Sequence, residues 1–115
     1  MEGPFIPSVD SVNQQVTRTS RGAYILSRGQ NSQWEWTAHY VGRSDNDVAD
    51  RLKTWARAQS LYRRFWFEYT SSARAAFLLE CEWWHRYRPA DNQRHPEVPV
   101  GTDWKCPVSG CPWSR

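Results

Sequence analysis

The sequence predicts a small α+β domain, a three-stranded antiparallel sheet flanked by helices in the order β-β-α-β-α. Three observations carry this. Ala23-Tyr24-Ile25-Leu26 and Trp36-Thr37-Ala38-His39-Tyr40-Val41 are rich in β-branched and aromatic residues and are separated by the turn-forming Gly29-Gln30-Asn31-Ser32, the pattern of a hairpin. Leu61 to Tyr69 alternates Phe65, Phe67 and Tyr69 against Arg64, Trp66 and Glu68, which reads as a third strand with one apolar face. Two segments with apolar residues three and four apart, beginning near Ser44 and Ser72, read as helices.

Length and composition set the bounds. A chain of 115 residues with 39% apolar residues has room for one core and not for two. No apolar run is long enough to span a bilayer, and Met1-Glu2-Gly3-Pro4 lacks the start of a secretory signal, so no membrane partner and a cytoplasmic location are expected. Three cysteines is an odd count, which favours thiols or metal ligands over a disulfide framework. The net charge of +3 suits a polyanionic partner without requiring one.

Residues 1 to 20 show no sustained period and are expected to form a loosely held arm, with Arg18 and Arg21 at its end available to phosphate. In the hairpin, a suitable register brings Tyr24 and Tyr40 onto one face, and Gly22 and Gly42 leave backbone room beside them. The first helix is expected to be capped by Ser44 or Asp45, with Asp47 and Asp50 in its first turns and Val48, Leu52, Trp55 and Gln59 toward the sheet. Arg51 then falls at the edge of that stripe, where its stem can lie on the core and its head in water.

The second helix, capped within Thr70-Ser71-Ser72 and stopped by Pro89, has Ala73, Ala76, Phe77, Glu80, Trp83, Trp84 and Tyr87 on one face. Glu80 therefore lies inside an apolar stripe, where a carboxylate is costly unless a metal or a cation such as Arg51 satisfies it. Cys81 and His85 are four apart on this helix, and Cys106 and Cys111 flank a Pro-Val-Ser-Gly turn in the tail. Together they make a candidate Cys₃His zinc site, with His95 as an alternative to His85.

These segments, in this order, resemble the GIY-YIG nuclease domain across roughly residues 21 to 92, leaving residues 93 to 115 as a tail. Gly22-Ala23-Tyr24 is similar to the family's first signature and Tyr40-Val41-Gly42 with Arg43-Ser44 to the second; Asp50-Arg51-Leu52 carries the helix arginine; Leu78-Leu79-Glu80 followed by Pro89-Ala90-Asp91-Asn92 resembles the acidic helix and the asparagine beyond it. The resemblance implies a metal-dependent endonuclease cutting phosphodiester bonds in DNA. It implies that Glu80 holds magnesium or manganese, that Arg51 binds the scissile phosphate, that Tyr24 or Tyr40 positions or deprotonates the attacking water, and that Asn92 orients the site. Arg43, Arg21 and Arg18, by their charge, are expected as further DNA contacts. Two features depart from the family pattern. The interval from Tyr40 to Arg51 is one residue longer than in many members, and Trp55 stands four after the arginine where a tyrosine or histidine is usual. Trp55 cannot accept a proton, which leaves the two tyrosines, with His39 an outside candidate. The alternatives are a catalytically silent nucleic-acid-binding or interaction module of the same fold, and a zinc-stapled structural protein. Partners expected are DNA and a targeting protein or a second copy of the chain.

Overall fold

A computed structural model of the chain describes all 115 residues. Its elements are β1 (Glu2–Phe5), α1 (Val9–Gln15), β2 (Gly22–Ser27), β3 (Tyr40–Ser44), α2 (Val48–Arg57), β4 (Arg64–Tyr69), α3 (Ala73–Tyr87) and a final 3₁₀ turn, Pro112–Ser114. They form an α+β fold around one antiparallel sheet of order β1-β4-β2-β3. The expected β-β-α-β-α series is present from β2 onward. What precedes it is a correction.

The first twenty residues are not a loose arm. Glu2–Phe5 adds a fourth strand along β4, and Ser8 caps α1 by accepting from the Ser11 N–H. Val12 and Val16, the latter at the C-cap of α1, are buried in the main core, which is why a segment of weak sequence periodicity still folds against the sheet.

Strand β2 is central and buried along its whole length because both faces are covered. On one face Tyr24, Leu26, Phe65 and Phe67 pack with α1 and with Val48 and Leu52 of α2. On the other, Ala23, Ile25 and Val41 pack with Trp83 of α3. A third cluster joins Phe77 and Cys81 of α3 to Cys106 and Cys111 of the tail.

Four boundaries differ from expectation, one being that strand β4 begins at Arg64 rather than Leu61. Strand β3 begins at Tyr40 rather than Trp36, and residues 28 to 39 form a connection pinned by an isolated Gln30–Trp36 bridge. Asp47, not Ser44 or Asp45, is the N-cap of α2; Ser44 instead accepts the N–H groups of Asn46 and Asp47 in the turn before it. The helix ends at Arg57, so Gln59 lies beyond its stripe. Helix α3 matches expectation at both ends, with Ser72 as N-cap, Arg88 in the left-handed region as C-cap and Pro89 immediately after. No helix is long and apolar enough to cross a membrane.

Candidate functional site

The β2–β3 register pairs Tyr24 with Gly42 and Leu26 with Tyr40. Tyr24 and Tyr40 therefore share a face, and their rings lie 6.2 Å apart, nearly parallel. Gly42 is what lets them do so. A Cβ at that position would stand 2.5 Å from Tyr24 Cζ and 2.6 Å from its hydroxyl oxygen, so any side chain would displace the ring.

Because β3 is the edge strand, residues from both faces of the sheet meet beyond it. Tyr24, Tyr40 and Arg51 come from the α2 face; Arg43, paired with Ala23, points to the α3 face, where Glu80 waits. A cleft of about 350 Å³ is lined by these residues with Gly42, Asp45, Asn46 and Glu97. The structure thus brings together four of the five residues expected to act as a catalytic group. The fifth, Asn92, stands behind the cleft. Its side chain accepts from the Val41 N–H at 3.2 Å and donates to the Val41 carbonyl at 2.6 Å, while its own carbonyl accepts from Trp84 Nε1 at 2.8 Å. It ties β3 to α3 between Tyr40 and Gly42.

The buried carboxylate of Glu80 is satisfied by a cation, as its position requires, but the cation is Arg43 and not Arg51. Arg43 is thereby drawn inward: its guanidinium also pairs with Asp45 at 2.9 Å and donates to the Glu97 carbonyl at 2.9 Å. Burial pushes the Glu80 carboxyl above its ordinary value, and Arg43 pulls it only part of the way back. Arg51, by contrast, lies exposed at the cleft mouth with no ion pair.

Both phenols are raised above the usual tyrosine value, first of all by burial, with Arg51 opposing the shift in each. Tyr24 is only 1% exposed and its hydroxyl accepts a 2.9 Å hydrogen bond from Trp55 Nε1. Trp55 cannot act as a base, yet it fixes the tyrosine beneath the cleft; nothing in the sequence spacing indicates this bond. Asp45 and Glu97 also line the cleft without a sequence signal that points to it. Glu97 reaches the cleft from the tail, with no local pattern to mark it.

Other expected residues lie elsewhere. Arg18 covers the Tyr69 ring at 4.6 Å and Arg21 is exposed beside Thr70; neither lines the cleft. His39 accepts from the Arg28 N–H through Nδ1 at 2.9 Å, outside the cleft, and burial lowers its affinity for a proton.

A second cluster forms between α3 and the tail. His85, His95, Cys106 and Cys111 each place a ligand atom within 4.8 Å of the others, a His₂Cys₂ group that can hold a metal ion. This corrects the expected Cys₃His set. Both histidines take part, and Cys81 lies one helical turn before His85, packed with Phe77 and the tail cysteines, where burial pushes its thiol up. His95 is carried into place because its ring stacks on Trp113 at 5.2 Å and meets Trp84 at 5.2 Å.

No protein-family model matches the chain, and no curated protein or solved structure matches it either. The reading of both sites therefore rests on their geometry and chemistry.

Proposed function

We propose that the chain is a GIY-YIG type endonuclease that hydrolyses phosphodiester bonds in DNA with one divalent cation, magnesium or manganese. The observation that carries this reading is the convergence on one cleft of Tyr24 and Tyr40 from the hairpin, Arg51 from α2 and Glu80 from α3. Hard oxygen donors suit magnesium, and the cleft offers the Glu80 carboxylate with Asp45 and Glu97 beside it. Glu80 would hold the ion; when bound, it neutralises charge at the leaving oxygen.

The other roles belong to the chain. Arg51, exposed and unpaired, presents a planar guanidinium to two phosphate oxygens at once. Tyr40 is the more accessible phenol and holds the attacking water; with its pKa raised, it does so as a protonated hydroxyl until positive charge enters the cleft. Tyr24 and Trp55 fix the Tyr40 ring from below, and Asn92 fixes its strand. Cutting both strands with one such cleft takes a dimer or two successive events. The Cys/His cluster we read as a zinc site, since imidazole and thiolate are the donors that zinc takes in structural centres.

A second reading, a silent nucleic-acid-binding module of the same fold, is favoured by one observation: Glu80 is already engaged by Arg43 and neither phenol is activated. Supercoiled plasmid incubated with magnesium or manganese separates the two. The nuclease reading expects nicking by the wild type that is lost in Glu80→Ala and Tyr40→Phe, with DNA binding retained by gel shift. Binding without nicking in all three would select the silent module.

A further inference from the structure

The cluster between α3 and the tail has a feature that ordinary packing does not leave behind. His85 Nε2 is buried and has no hydrogen-bond partner, the only side-chain nitrogen or oxygen of the chain in that state. An unpaired buried polar atom is costly and calls for a ligand. Around it stand His95, Cys106 and Cys111, with Cys111 Sγ and His95 Nε2 3.4 Å apart. Tetrahedral zinc with nitrogen and sulfur ligands separates its donors by roughly 3 to 4 Å. The second ring nitrogen of His95 lies 2.9 Å from the Pro96 carbonyl, so an Nδ1–H donated there leaves Nε2 free to ligate. The two cysteines stand at the ends of a short knuckle whose turn needs Gly110 at φ +85°.

The cluster also bears on the cleft. Glu97 follows His95 by two residues, accepts from Arg43 Nη2 through its carbonyl and lines the cleft. Within residues 96 to 115 the backbone hydrogen bonds join tail to tail, as in Thr102 N–H to Pro99 and Cys106 N–H to Trp113. Little else in the backbone ladder holds this segment to the body.

We propose that zinc bound by His85, His95, Cys106 and Cys111 clamps the tail onto α3 and thereby holds Glu97 against Arg43 as a wall of the cleft. The ion is structural: four protein donors close its coordination, and Cys81 is a packing neighbour rather than a ligand. The clamp is independent of whether the cleft cuts DNA.

The test uses the full-length protein purified without chelator. Metal analysis should find one zinc per chain, retained in Cys81→Ala and lost in His95→Ala and Cys111→Ser. Removing zinc from the wild type should raise amide hydrogen exchange across residues 93–111 and speed trypsin cleavage at the exposed Arg94 and Lys105 by on the order of tenfold, as local opening of an unclamped segment would. Readded zinc should restore protection, while β2 and β4 stay protected throughout. Zinc-free wild-type protein, loss of zinc in Cys81→Ala with retention in His95→Ala, or a tail equally protected with and without the ion would each overturn the proposal. None of these readings involves nuclease activity, so an inactive cleft leaves the result interpretable.

Discussion

The cleft and the Cys/His cluster each take one polar side chain from α3, Glu80 and His85, and they treat it in opposite ways. In the cleft the protein supplies its own partners: Arg43 for Glu80 and Trp55 for Tyr24. In the cluster it leaves His85 Nε2 buried and alone. A compensated site folds without its ligand and exchanges internal partners when one arrives, whereas an uncompensated site carries a standing cost until an ion fills it. The protein thus satisfies Glu80 from within and leaves His85 without a partner.

The largest effect should therefore come from the cluster. With free zinc a thousandfold above Kd, binding stabilises the folded state by about 4 kcal/mol. Chelation should lower the thermal midpoint correspondingly, read by circular dichroism, while added magnesium should leave it almost unmoved.

The cleft pair should come next, and unequally. Arg43→Ala leaves Glu80 buried without its cation and should cost about 3 kcal/mol in urea unfolding. Glu80→Ala should cost less, because Arg43 keeps Asp45 and the Glu97 carbonyl. Equal losses would mean that the pair is not internally compensated in the manner described.

The raised Glu80 carboxyl adds a pH dependence of known sign. Its folded pKa lies above the unfolded one, so between the two the native state binds more protons and stability falls as pH rises. Glu80→Gln should remove this fall, and comparison of unfolding curves from about pH 4 to neutrality should show the variant gaining on the wild type. A constant difference across that range would break the account of burial outweighing Arg43. Smallest of all, Trp55→Phe removes one donor to Tyr24 and should cost about 1 kcal/mol, with zinc content unchanged.

Legibility in the sequence followed the range of the interaction. The strands β2 and β4 and the N-cap and stop of α3 were readable, since period and capping chemistry act within a few residues. The need of Glu80 for a cation was also readable from its place in the stripe; that the cation is Arg43 was not, because the choice depends on which face of β3 looks toward α3. The fold of residues 1 to 20 went unread for a related reason. Val12 and Val16 are too few to make a pattern and matter only because the sheet offers a face for them.

The same division holds for function. By itself the sequence determined that this is one small α+β domain, that two tyrosines can share a face, and that a carboxylate on α3 must find positive charge, because each follows from the geometry of a single element or hairpin. Only the tertiary structure decided that edge strand β3 lets residues of both sheet faces meet in one cleft, and that His85 and His95, rather than Cys81, join Cys106 and Cys111. Those outcomes depend on how distant segments pack, and side chains brought together across the fold carry no spacing by which the linear chain could announce them.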